Sequence, residues 1–382
     1  MPISDNKTII RLDSQFFPDA QFRKAVCKQC KLKEGDVLSL DILSRIENLD
    51  LSSLFIDSLE GIEHFRYLKK LDVSLNFLKA LDISSLVYLE NLNCDGNYLT
   101  ELTLGSHEHL RKLSCRENRL TSLNLSEVPA LTSLSCQENR LRGLDLRACP
   151  NIEKVRVYAN PLRQLFVDGC SRLRKLDCRC GRLQSLVFKS SPALKELFCS
   201  ENLLTELDVK SCLNLQVLDC SSNLLSSLDP GNLENLTEFN CSDNQLKELT
   251  VYPWQDLIDF DCSNNQLHEL EIVTFEELEK IDCSSNDLEK LTVNDCPWLM
   301  YLKCQHNHLK TLNILDCPDL AHLNCSDNQI TQLNINDCIS LVSLNASRND
   351  LKEIDLRECE QLSHVNADHN VRVYAKDIPL NS

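Results

Sequence analysis

Several things are scarce in this chain of 382 residues. Glycine occurs 8 times and proline 11 times, and no linker or low-complexity tract breaks the sequence into parts. Aromatic residues make up 5% of it, so an aromatic-lined sugar cleft has little to be built from. No apolar run reaches the length of a membrane-spanning helix. The opening MPISDNKTII lacks the basic start and apolar core of a secretory leader. Positive charge is also in deficit, with 40 Lys and Arg against 57 Asp and Glu and a net charge of −17. That balance disfavours nucleic acid and anionic membrane as bulk partners. What abounds is cysteine, with 21 copies, and apolar residues at 42%, enough for a large core.

Self-similarity organises the rest. With Leu68 as position 1, units begin at Leu89, Leu110, Leu131, Ile152, Leu173, Leu194 and so on to Leu362, each 21 residues long and without insertion. The unit reads LxxLxCxxNxLxxLxLxxCxx, and a looser unit of 22 residues starts at Ile46. Alternation at LxCx puts positions 4 and 6 on one face of a short strand and positions 3, 5 and 7 on the other. One strand per turn, stacked on the next, builds a parallel sheet over a continuous core. Asn at position 9 stands where the chain leaves the strand, and its amide can both donate to and accept from a buried bend. The stretch LxL lines the return path, which is too short for a long helix and is expected to be extended or 3₁₀. In the unit "KLDCRCGRLQSL" the position-9 residue is Gly181. The break reads as an adaptation for a ligand or as drift of one turn.

The repeat resembles the 21-residue "LDCSxNxLTxLDV" units of bacterial leucine-rich repeat proteins, over roughly residues 46–371. FPDAQFRKAV, from Phe17 to Val26, resembles their helical N-terminal cap. The resemblance implies a β-rich α/β solenoid, a horseshoe with one short parallel strand per turn on its concave face. The expected organisation is a cap over residues 1–45, a solenoid over residues 46–371 and a tail over residues 372–382. Family caps often continue into a calcium-loop-like stretch. Here KLKEGD puts Lys31 and Lys33 where oxygen ligands would stand, so calcium is not carried over.

Eleven cysteines fall at position 6 and seven at position 19; Cys27, Cys30 and Cys180 lie outside these ladders. Inward-facing thiols behave as small apolar residues and imply a reducing compartment. The expected location is the cytoplasm, or delivery without a classical signal. Secretion or display at the cell surface is the alternative if a leader has been removed. Cys27-Lys28-Gln29-Cys30 lacks the second pair that a structural zinc site needs, and His322 and His364 lie two turns apart. No metal or cofactor is expected.

No nucleophile–base pair or phosphate loop stands out, so the chain is expected not to be an enzyme. The outward positions carry the remaining signal. A basic and aromatic set comprises Lys112, Arg116, Lys154, Arg156, Tyr158, Lys175 and Arg179, followed by Phe198 and Val217. An acidic stripe comes next, formed by Asp219, Glu238, Asp259, Asp261 and Asp282. Arg with aromatics is the composition of binding hot spots, although long cations also serve simply to solvate a surface. The reading is a monomeric scaffold whose concave face binds a protein with an acidic surface. The alternatives are a bacterial effector or surface protein that binds a host protein and, further off, a carbohydrate binder or enzyme.

Overall fold

The computed structural model describes residues 9–189 and 191–375. It divides into two compact units. The first comprises the described residues up to Leu183 with Lys189 and Ser191; the second comprises Gln184–Phe188 and the described residues from Pro192 onward.

In the first unit, strands at Asn48–Asp50, Lys70–Asp72, Asn91–Asn93, Lys112–Ser114, Ser133–Ser135, Lys154–Arg156 and Lys175–Asp177 form one parallel sheet in register. In the second, strands from Glu196–Phe198 to His364–Asn366 continue the same rule, with Val217↔Glu238 and Asp261↔Asp282 as register partners. The return path is extended. Short parallel pairs form there, such as Gly143–Asp145 with Gln164–Phe166 in the first unit and Glu269–Val273 with Lys290–Asn294 in the second.

The repeat positions explain why. Position 4 (Leu71, Leu92, Leu113, Leu134) and position 6 (Val73, Cys94, Cys115, Cys136) are buried, each leucine contributing about 1.5–3 kcal/mol. The N–H at position 6 bonds across to the next turn, as from Cys94 to the Ser114 carbonyl at 2.8 Å. Position 8 then adopts a left-handed conformation, with φ of 56° at Leu75, 53° at Glu117, 57° at Glu138 and 54° at Cys180. That twist returns its N–H to the ladder, for example from Glu117 to the Gln137 carbonyl at 3.1 Å.

Position 9 closes the bend. The Asn139 amide donates to the carbonyls of Cys115 and Cys136, and its Oδ1 accepts from the Leu120 N–H at 2.9 Å. Each such Asn ties its own turn to the one before. At Gly181 the tie is missing, and the Leu162 N–H instead meets the Asn160 carbonyl at 2.7 Å. Cys180 keeps the usual left-handed twist, so the break removes a bond without changing the bend's handedness. Replacing Gly181 by Asn is expected to stabilise the chain by about 1 kcal/mol, the net worth of a hydrogen bond. An unchanged urea midpoint would show that the Asn160 carbonyl already suffices.

A helix at Ala20–Cys30 stands before the first turn. One oxygen of Asp19 caps it, accepting from the N–H groups of Gln21 and Phe22, while the other accepts from Asp57 at 2.8 Å. Gln29 donates to the Asn48 carbonyl at 2.9 Å, covering part of the sheet's open edge.

Candidate protein-binding face

The open face of the main sheet carries positions 3, 5 and 7. In half of the turns the pair at 5 and 7 is Asp or Asn followed by Ser, and the structure gives it a job. Asp72 accepts from both the N–H and the hydroxyl of Ser74, at 2.9 and 2.6 Å. Asp219 with Ser221, Asp261 with Ser263 and Asp282 with Ser284 repeat it. This local side-chain turn satisfies the one N–H that points away from the ladder.

Three of the residues in the acidic stripe are therefore acceptors built into bends. Burial pushes the Asp261 carboxyl above its ordinary range; the Ser263 hydroxyl and N–H oppose this, while Asp282 and Asp259 add to it. Asp282 also meets Lys303 at 3.1 Å. Phe198, Val217, Asp219, Glu238, Asp259 and Asp261 surround a recess of about 320 Å³ on the second unit.

Three successive turns of the first unit abandon the motif. They carry Ser114 with Arg116, Ser135 with Gln137, and Arg156 with Tyr158. Asp95, from the turn before, accepts from the Ser114 hydroxyl at 2.6 Å, the Arg116 N–H at 2.9 Å and the Arg116 guanidinium at 2.9 Å. Arg179 is likewise held, its guanidinium forking onto the nearly buried Asp177 at 2.9 Å and lying 5.9 Å from the Tyr158 ring centre. Lys112, Lys154 and Arg156 are exposed, and among the described residues none of them has an ion-pair partner. Register places Ser133 between Lys112 and Lys154, Ser135 beside Arg156, and Lys175 beside Lys154.

The structure thus brings Lys112, Arg116, Lys154, Arg156, Tyr158, Lys175 and Arg179 onto one sheet face of the first unit. Phe198 and Val217 belong to the second unit, with the acidic residues. The sequence reading missed a recess of about 580 Å³ over the first turns, lined by Gln29, Asp50, Lys70, Asp72, Asp95 and Lys112 among others. Its signal was present in the alternating charges at positions 3 and 5.

Most of the thiols are poor candidates for chemistry; a hydrogen bond with Cys317 holds Cys296 below its ordinary range, but that thiol is buried. All 21 are free; Cys180 is exposed, Cys27 and Cys30 are half-buried and the rest are buried. Burial pushes Cys136 and Cys325 up to about 12 and Cys30 up to about 11, opposite to the direction a nucleophile needs. Among the described residues no cluster of His, Cys, Asp and Glu could hold a metal ion, and no helix is long and apolar enough to cross a membrane.

These features are those of a leucine-rich repeat solenoid. The family profile described as leucine-rich repeats (2 copies) matches residues 213–254. No curated protein sequence matches the chain significantly. Among solved structures, the functional domain of InlJ from Listeria monocytogenes, which includes a cysteine ladder, is similar at 26% identity. That match covers 93% of this chain and 79% of that one, with a TM-score of 0.67. YopM, a leucine-rich effector protein from Yersinia pestis, is similar at 26% identity over 86% of this chain and 90% of that one, with a TM-score of 0.64. The LRR protein LIC12759 of Leptospira interrogans shares the fold at 23% identity over 81% of this chain and 92% of that one, with a TM-score of 0.58.

Proposed function

We propose that the chain is a non-enzymatic protein-binding scaffold. The open sheet face of its first unit receives an acidic surface of a partner over Lys112, Lys154, Arg156 and Tyr158. One observation carries this: Arg156 stands where the bend calls for Asp or Asn, exposed and without an ion pair among the described residues. A framework residue given up with no structural return is what a functional surface produces. Arg116 and Arg179, held by Asp95 and Asp177, are preoriented flanks rather than free cations. The similarity to YopM, an effector protein, favours as a second reading that the partner belongs to a host and that the chain is delivered to it. An assay of export from the producing cell separates the two.

The test uses captured and then purified partner. Lys154→Glu with Arg156→Glu is expected to weaken binding at least tenfold and to flatten its salt dependence, because both side chains point away from the core. Asp261→Asn with Asp282→Asn serves as the control on the second unit. If the control abolishes binding and the basic pair leaves it intact, the placement is wrong.

A further inference from the structure

A second surface of the first unit lies on the bends that join the two strand columns, away from the sheet face. Position 10 of successive turns carries Phe55, Phe77, Tyr98, Arg119 and Arg140. The first three are exposed by 67%, 39% and 42%, and Leu75 beside them by 61%. Ring centres lie 5.8 Å apart from Phe55 to Phe77 and 6.1 Å apart from Phe77 to Tyr98, and the Arg119 guanidinium sits 4.7 Å from the Tyr98 ring centre.

Gly96 shows that the apolar part is shaped. Its φ of 60° does not require glycine, because Leu75 and Glu117 take the same twist at the equivalent place. A Cβ on Gly96 would lie 2.8 Å from a terminal methyl of Leu75. Glycine there leaves the space that the exposed Leu75 side chain occupies.

Beyond Tyr98 the bends turn basic. Arg119 and Arg140 are followed by Arg142, Arg163 and Arg182, all exposed, and among the described residues none of these five has an ion-pair partner. Glu117 and Glu138 stand at position 8 of the two middle turns without cancelling the excess. Residues 111–182 hold twelve Arg and three Lys against seven Asp and Glu, in a chain whose net charge is −17. Arginine over lysine suits forked recognition of carboxylates.

We propose that these bends form a track for an extended polypeptide segment of a partner, apolar where it lies over Phe55, Leu75, Phe77 and Tyr98, and acidic where it lies over the arginines. From the bend of Phe55 to that of Arg182 there are six turn-to-turn steps of about 4.8 Å, roughly 29 Å, which about nine extended residues span. Phe77 and Tyr98 stack on each other and Arg119 covers Tyr98, so the Tyr98 ring is covered on both faces and shows solvent its edge. Edges take apolar side chains, whereas bases need open faces.

A display library of random dodecapeptides selected on the full chain tests this. Enriched peptides are expected to carry aromatic or aliphatic residues followed by two or more Asp or Glu. Their affinity, read by fluorescence anisotropy, should fall at least tenfold for Arg140→Glu with Arg163→Glu, and likewise for Phe77→Ser with Tyr98→Ser, each checked for an unchanged melting curve. Lys154→Glu with Arg156→Glu, on the sheet face, should leave it unchanged. The proposal is overturned if no peptide is enriched, if both bend variants bind as well as wild type, if the sheet-face variant is the one that loses binding, or if single-stranded oligothymidylate binds more tightly than the peptides.

Discussion

Replacing Trp254 by Ala is expected to destabilise the second unit by about 3–5 kcal/mol, the usual range for a buried aromatic lost to alanine. Trp254 is fully buried and occupies position 19, where many turns place cysteine. Two adjacent turns carry Phe239 and Phe260 at position 4 in place of the common leucine, and their rings stack at 5.3 Å. Trp254 meets both edge-on, at 5.6 and 6.4 Å, and its indole N–H donates to the Gly231 carbonyl at 3.2 Å. The substitution therefore leaves a large cavity between the two phenylalanine rings and the neighbouring turn, while the Gly231 carbonyl keeps the Leu233 N–H as donor at 3.0 Å. Urea unfolding followed by circular dichroism measures it, and Trp254→Phe should recover part of the loss. A cost below about 1 kcal/mol would mean that the core around Phe239 collapses to fill the space.

Asn265→Ala is expected to cost about 1–3 kcal/mol. The side chain is buried and satisfies four backbone groups: its amide donates to the carbonyls of Cys241, Cys262 and Ser263, each at 3.1 Å, and its oxygen accepts from the Leu246 N–H at 3.0 Å. The three carbonyls keep other donors, the amides of Asn244 and Asn286 and the N–H of Asp243, so the group left alone is the Leu246 N–H, and one buried polar group without a partner costs about 1–3 kcal/mol. Asn265→Asp should be no better, because a carboxylate keeps the acceptor and loses both donors. The same urea experiment checks both variants. An Asp variant close to wild type would show that the donated bonds matter little.

Much of this fold can be read from the sequence because each turn repeats one local problem. The inward positions and the Asn at position 9 follow from period and chemistry, and an extended return path follows from its length. The candidate site was only partly legible. Arg116 and Arg179 look as free as Arg156 in the sequence. Whether Asp95 reaches Arg116 depends on cross-turn register and on the bend geometry at position 8, which composition does not reveal. The role of Asp219, Asp261 and Asp282 as bend acceptors did have a signal, the recurring D-C-S spacing, but a run of carboxylates on exposed positions reads first as solvated charge. The aromatic track on the bends was missed because one ring per 21 residues is invisible unless the chain is written turn under turn.

The buried cysteines have a consequence for the life of the chain before it is folded. In the finished protein eighteen thiols are sealed in the interior, away from oxidants. A nascent or unfolded chain exposes all 21 at once, and any early oxidation would lock together turns that the fold keeps apart. Folding is the chemical shelter of these residues, and it has to finish ahead of their oxidation. Refolding from denaturant should therefore succeed with reductant present throughout and fail in proportion to the delay before it is added.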